Sequence, residues 1–314
     1  MSIFKLKPPQ WVYLLFLIGI CSIVMRFILD SRFGTTSLTY VLIPFTISFL
    51  IYHFLEPADN TTHLSRVWRH FYYATIIMLA TSAIIFEGFI CVLFFMPIYY
   101  IGIAVALIIA MRDDARDKAK ENKLKASIFP LIVIISAVEG LSPSTSFERK
   151  NSVTQQVIIE ADIATLKANM AQEISLPKDR HWMLTIFPLP QDIQAGSLNE
   201  GDVHKMSFIY KRWFFTNIKK GQFHLQLDEV KDNYIKTSVI RNDSYLASYM
   251  DIKGTEVKLQ ALGPHKTKVS LTIHYDRRLD PYWYFGPLQK FTVEQSANYL
   301  IDSVIARDQL WEHL

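Results

Sequence analysis

The chain has 314 residues, of which 50% are hydrophobic, and a formal net charge of +4; this length suits about two domains. From Pro143 onward the sequence carries 21 Lys and Arg against 20 Asp and Glu. This balance leaves no basic surplus to hold a nucleic-acid backbone. Both cysteines, Cys21 and Cys91, lie in apolar segments, which excludes a disulfide framework or a cysteine-based zinc site in the C-terminal part. We expect no nucleic-acid partner, no metal and no cofactor.

The N-terminal part consists of long apolar runs. A helix that crosses the hydrocarbon core of a bilayer needs about 20 apolar residues. The apolar stretch 71–111 is far too long for one span and is interrupted by Glu87-Gly88, so it predicts two helices. The last apolar segment, 126–141, is shorter, and a buried amphipathic helix is the alternative there. The pattern predicts a transmembrane helical region over 1–142, with spans at 11–29, 38–55, 68–86, 89–111 and 126–141.

The distribution of positive charge orients these helices, because Lys and Arg in short loops favour the cytoplasmic side. With five spans and a cytoplasmic N terminus, the inner segments carry ten Lys and Arg, whereas the outer side carries Arg26 and Arg32. Six of the ten lie between 112 and 125, and a four-span arrangement would place them outside. The sequence therefore predicts an extracytoplasmic C-terminal part.

The C-terminal part changes to the periodicities of a soluble α+β domain. A polar hinge at 141–146 precedes a predicted strand at 153–161 and a predicted helix at 162–171, with Asp162 as its cap. Alternation of apolar and polar residues then predicts an antiparallel sheet with one apolar face. Its strands are predicted at 203–210, 221–230, 233–240, 245–251, 254–262 and 267–275. A hairpin turn at 263–266 joins the last two.

The chain ends in a predicted long helix. Gly286-Pro287 is expected to start it, because a proline near the first turn costs little. About 24 residues would extend roughly 36 Å, enough to cross the apolar face of the sheet. The helical stripe comprises Val293, Ala297, Leu300, Ile301, Val304 and Ile305.

The order of a strand, short helices, antiparallel strands and a long C-terminal helix resembles the SRPBCC superfamily, the START-like or polyketide cyclase/dehydrase helix-grip fold. The resemblance is carried by Glu200-Gly-Asp-Val203 before a strand, by the hairpin 262–269 and by Asp280-Pro-Tyr-Trp-Tyr-Phe285 before the long helix. It covers roughly 150–310, and we predict a domain over 150–312.

A short motif in the membrane half carries a second resemblance. Glu87, Gly88, Cys91 and Pro97 are similar to a pattern in bacterial membrane proteins that carry such a domain. The resemblance implies a bacterial inner-membrane location, with the C-terminal domain in the periplasm. A carboxylate in an apolar run suggests a functional group, but Glu87 also fits a turn at the outer membrane surface, which we favour.

In this family the sheet and the long helix enclose a cavity for lipids, sterols, polyketides or other apolar ligands. The resemblance together with the alternation places a set of side chains on the expected cavity wall. These are Phe223, Leu225, Leu227, Val257, Leu259, Leu271, Ile273 and Tyr275, with Tyr282 and Trp283 at the mouth or sealing the core. The alternative is that the apolar wall packs on the helix and leaves no space, because the alternation looks the same in both cases.

Three functions are compatible with these features. The leading hypothesis is a membrane-anchored binding module that holds a lipid or other hydrophobic small molecule outside the cytoplasm. Membrane lipid is its expected partner. An enzyme of polyketide cyclase/dehydrase type and a non-catalytic interaction platform are the alternatives. The sequence contains no P-loop, G-x-S-x-G or H-x-x-E-H pattern, and the expected cavity wall is apolar, which favours binding over catalysis.

The orientation can be tested with a topology reporter. An enzyme that is active only outside the cytoplasm, fused after Leu314, is expected to be active, because the charge distribution places the C-terminal part outside. A reporter that is active only in the cytoplasm serves as the control at the same position. If that control is active and the first reporter is silent, the five-span arrangement is wrong.

Overall fold

The computed structural model describes residues 36–54, 63–84, 89–118, 135–213 and 216–313. The predicted span 11–29 and the motif residues Glu87 and Gly88 lie outside the described residues. The chain divides into two compact units. The first comprises Met1–Phe147 with Leu279–Tyr284, and the second comprises Glu148–Arg278 with Phe285–Leu314.

The described part of the first unit contains three α-helices of twelve residues or more. A π-helical turn, Leu38–Leu42, leads into α1 (Ile43–Phe54), and α2 (His63–Ile84) and α3 (Phe89–Lys118) follow. They overlap the predicted spans 38–55, 68–86 and 89–111. Within the described residues, Val92–Ile109 in α3 is the one helical stretch with the length and apolar composition of a membrane span. In the predicted span 126–141, the described part is helical at 135–137, so the five-span arrangement stays a prediction.

Side-chain hydrogen bonds join these three helices. Ser48 Oγ of α1 lies 2.8 Å from His70 Nε2 of α2 and donates to the Ile103 carbonyl of α3 at 3.0 Å. The Tyr99 hydroxyl of α3 donates to the Ala74 carbonyl of α2 at 2.7 Å. These bonds connect α1 to both α2 and α3, and α2 to α3.

The second unit contains an eight-stranded antiparallel sheet in the order β2-β3-β4-β5-β6-β7-β1-β8. Two short helices, α4 (Ile163–Met170) and α5 (Trp182–Thr185), lie between the first two strands in the sequence. Asp162 caps α4, as predicted, because its Oδ1 accepts the Thr165 amide at 2.7 Å. The strands are β1 (Lys150–Ile159), β2 (Asp192–Gln194), β3 (Val203–Trp213), β4 (Thr216–Val230), β5 (Tyr234–Asn242), β6 (Met250–Gly263), β7 (Lys266–Arg277) and β8 (Trp311–His313).

The long helix α6 (Tyr282–Leu300) continues as a π-helical segment, Ile301–Ala306. From Val293 onward its predicted stripe packs into the core of the second unit. Val293, Ala297, Ile301 and Ile305 are buried, and Leu300 and Val304 pack against them. An antiparallel sheet with this C-terminal helix matches the predicted helix-grip fold.

Two predicted elements differ from the structure. The long helix begins at Tyr282 and not at Gly286, and Pro287 lies inside it. The Glu139 carboxylate accepts the Tyr282 amide at 3.0 and 3.1 Å, which satisfies a free donor at the helix start. Pro287 then costs the helix a single backbone bond near its beginning.

The second correction concerns the predicted strand 245–251. Tyr245–Ser248 forms a 3-10 helix, and the strand β6 begins at Met250. Asn242 Oδ1 accepts both the amide and the hydroxyl of Ser244, at 3.3 and 2.7 Å. This local turn offers the backbone an alternative to the strand ladder.

The connection between β5 and β6, residues 243–249, crosses the inner face of the sheet over Gly221. A Cβ at Gly221 would lie 2.6 Å from the Asp243 carbonyl oxygen and 2.7 Å from the Ser244 Cα. Beyond that crossing, Tyr245 stacks on Tyr210 of β3, with ring centroids 4.2 Å apart and an interplanar angle of 10°. Glycine at position 221 therefore permits this connection to close one end of the inner face.

Replacing Gly221 with alanine should displace the connection, because both clashing atoms belong to its backbone. We expect the free energy of unfolding to fall by about 1–3 kcal/mol, as in other overpacked sites, measured by denaturant unfolding of the full chain in detergent. Gly196→Ala is the matched control, since a Cβ there meets nothing within 4 Å. If the two variants are equally stable, the connection 243–249 does not pass over Gly221.

Candidate functional site

The inner face of the sheet, which carries α6, has two unlike halves. On β1, β5, β6 and β7 its apolar side chains are buried in one core cluster together with the C-terminal helix. Of the predicted cavity wall, this half contains Val257, Leu259, Leu271, Ile273 and Tyr275. Strand register places them together, since Val257 pairs with Leu271.

On β3 and β4 the inner face is less covered. By the strand register, Met206 and Phe208 of β3 share this face with Phe223 and Leu225 of β4, and all four side chains are half-buried. Leu227, the next inward residue on β4, is 1% exposed and so lies at the border with the closed half. We call Met206, Phe208, Phe223 and Leu225 the open apolar surface.

Two neighbouring polar side chains on this face, Thr237 and His204, are hydrogen-bonded. Thr237 Oγ1 of β5 lies 2.8 Å from Thr255 Oγ1 of β6. The buried His204 at the start of β3 has its Nε2 2.8 Å from the Ser197 carbonyl. These bonds satisfy the polar atoms locally, so the open apolar surface is bordered by polar groups that already have partners.

Tyrosines close one end of this surface. Tyr245 stacks on Tyr210 and meets Tyr249 edge-to-face, with centroids 5.3 Å apart. The hydroxyls of Tyr245 and Tyr249 lie 3.1 Å apart. Neither the stacking nor the 3-10 turn that produces it was predicted from the sequence.

Tyr282 and Trp283, predicted to line the cavity mouth or to seal the end of the core, lie in the first unit at the start of α6 and are 44% and 53% exposed. Phe147 of the same unit has its ring 5.8 Å from that of Tyr282. Glu139 is 8% exposed, and its carboxylate accepts the Tyr282 amide. An anion at a helix N terminus is stabilised by the helix dipole, so Glu139 has a structural role that the sequence alone left open.

Of the predicted membrane motif, two residues are within the described part of the chain. Cys91 lies in the first turn of α3, and Pro97 is inside the same helix. Among the described residues, no group of three His, Cys, Asp or Glu could hold a metal ion.

Two clefts lie elsewhere on the second unit. One, of about 490 Å³, is next to α4 and includes Ile163, Tyr234 and Leu259. The other, of about 460 Å³, lies between the C-terminal end of β5 and the start of β6 and has a charged lining. Neither is lined by the open apolar surface.

Comparison with solved structures finds similar proteins for about half of the chain. The aromatase/cyclase Zhui from Streptomyces sp. R1128 is 16% identical, with a TM-score of 0.32, over 50% of this chain and 92% of that one. A START superfamily protein from Mycobacterium smegmatis is 16% identical, with a TM-score of 0.33, over 49% and 96%. Norcoclaurine synthase from Thalictrum flavum, in complex with dopamine and hydroxybenzaldehyde, is 11% identical, with a TM-score of 0.32, over 51% and 88%.

Comparisons of sequence gave no match. No protein-family model matches the chain, and no curated protein matches it either.

Proposed function

We propose that the chain is a membrane-anchored binding module for a lipid or other hydrophobic small molecule, which its domain over 150–312 holds outside the cytoplasm. The observation that supports this most is the open apolar surface beside a closed core. Apolar area removed from water contributes about 25 cal/mol per Å². Four inward-facing apolar side chains remain half-buried. An apolar ligand that covers them would remove more of their surface from water, which makes the free energy of binding favourable.

The proposed anchor is the helical region over 1–142. Its support is the apolar character of α1 and α3, the interhelical bonds of Ser48 and Tyr99 and the excess of Lys and Arg in the segments assigned to the cytoplasm. A domain that holds an apolar molecule next to a bilayer has a short path for exchange with lipid. This makes membrane lipid the first ligand class to test.

The arrangement favours binding over catalysis. An enzyme of this fold would need ionisable groups that converge on the ligand space. Among the described residues of the sheet, the buried His, Lys, Arg, Asp and Glu side chains are those of His204 on β3 and Arg277 on β7, and these strands are separated by β4, β5 and β6. His204 is also held by its bond to Ser197.

The proposal is tested on the isolated C-terminal domain with two leucine-to-tryptophan substitutions, one in the open apolar surface and one in the packed core. Residues 145–314, produced without the preceding helices, are expected to unfold cooperatively and to bind a non-ionic fluorescent apolar probe. Leu225→Trp should weaken probe binding with little loss of stability, because the larger ring enters the open apolar surface. Leu271→Trp should cost about 1–3 kcal/mol in unfolding free energy, because Leu271 is 3% exposed in the packed core.

Probe titration and denaturant unfolding measure both quantities on the same samples. Cooperative unfolding without any probe binding would contradict the binding function and leave the interaction platform as the better account. Equal stability losses for the two variants would show that the β3–β4 half is as closed as the rest of the core.

A further inference from the structure

The sheet splits between two of its central strands. β5 and β6 pair from Tyr234↔Lys258 to Ser238↔Gly254, and their pairing ends there. Beyond that point β5 continues along β4 as far as Asn242, and the first residues of β6 pair with β7. The strands therefore diverge, and the split-strand cleft of about 460 Å³ lies between them.

The lining of this cleft is rich in cations. It contains four basic and two acidic residues, which leaves an excess of positive charge. The basic residues are Lys219, Arg241, Lys253 and Arg278, and the acidic residues are Asp243 and Asp251.

Asp251 holds two of the cations in place. Its Oδ2 accepts from Lys253 Nζ at 2.7 Å and from Arg278 Nη2 at 2.8 Å, and Lys253 also lies 3.3 Å from Asp276. Burial raises the pKa of the Asp251 carboxyl, but the hydrogen bonds and charges of Lys253 and Arg278 outweigh burial and hold it below its ordinary value. These two cations are therefore fixed in position by an ionised anchor.

The other two cations retain unused donors. Arg241 donates through Nε to Asp243 at 2.5 Å, which leaves its two Nη groups without a partner among the described residues. Lys219 Nζ lies 5.7 Å from the centre of the Tyr245 ring and has no carboxylate partner within the described part of the chain. The Ser248 hydroxyl, also in the lining, is a further polar group without a described bond.

We propose that the split-strand cleft, whose lining includes Lys219, Arg241 and Arg278, is a binding site for a phosphate group. A guanidinium presents two parallel N–H donors that match a phosphate, and an ammonium adds a point charge. A free phosphate and a phospholipid headgroup present the same chemistry. This site is separate from the open apolar surface and does not rest on the binding function proposed for it.

The test uses the full chain in maltoside micelles, which contain no phosphate. Calorimetric titrations with inorganic phosphate and with dihexanoyl phosphatidylglycerol compare the two sources, and dihexanoylglycerol serves as the lipid that lacks phosphate. Lys219→Gln and Arg241→Gln should each weaken binding roughly tenfold, because each removes one charged hydrogen bond. Lys236→Gln, on the same strand as Arg241 but outside the cleft, is the matched control and should bind as the parent does.

The site would be assigned to a lipid headgroup if the phosphatidylglycerol binds more tightly than inorganic phosphate and if both cleft variants, but not Lys236→Gln, weaken that binding. The reverse order, again with that pattern, would assign it to a free phosphate. No binding of either ligand, or equal binding by the parent and both cleft variants, would overturn the proposal. Binding of the apolar probe is measured separately, so this failure would be distinguishable from failure of the proposed function.

Discussion

The packing of the C-terminal helix against one half of the sheet is the constraint on which the second unit depends. Val293, Ala297, Ile301 and Ile305 bury their side chains among those of β1, β5, β6 and β7. A fully buried aliphatic side chain contributes about 1.5–3 kcal/mol, so these four residues together are a large contribution to the stability of the core. Because one helix cannot cover a sheet of eight strands, the β3–β4 half retains half-buried apolar side chains.

This asymmetry separates two kinds of surface within one sheet. The open apolar surface faces inward on β3 and β4, whereas the split-strand cleft is charged and lies where β5 and β6 diverge. The connection 243–249 borders both, since its Tyr245 stacks on Tyr210 and its Ser244 and Ser248 line the cleft. Gly221 permits that connection to cross the sheet, which makes one small residue a condition for the geometry of both.

Period-two and helical patterns predicted the antiparallel sheet, the Asp162 cap and the stripe of the long helix, because these depend on local periodicity. The start of α6 was predicted too late, since a carboxylate from the distant Glu139 satisfies the Tyr282 amide. The alternation also predicted that the side chains of Leu225 and Leu271 both face the inside of the sheet. Their different burial depends on which strands the helix covers, and the cleft depends on where pairing ends, so neither could be predicted from alternation.

Photolabelling tests the central claim of an unequal inner face most directly. The full chain in membranes would be irradiated with an apolar diazirine lipid, and the labelled peptides would be mapped by mass spectrometry. The account predicts labels on Met206, Phe208, Phe223 or Leu225, in addition to the proposed membrane spans, and none on the helix-packed Leu271 and Ile273. Labels confined to the proposed membrane spans, or placed on Ile218 and Ile240 in the second unit instead of the open apolar surface, would contradict it.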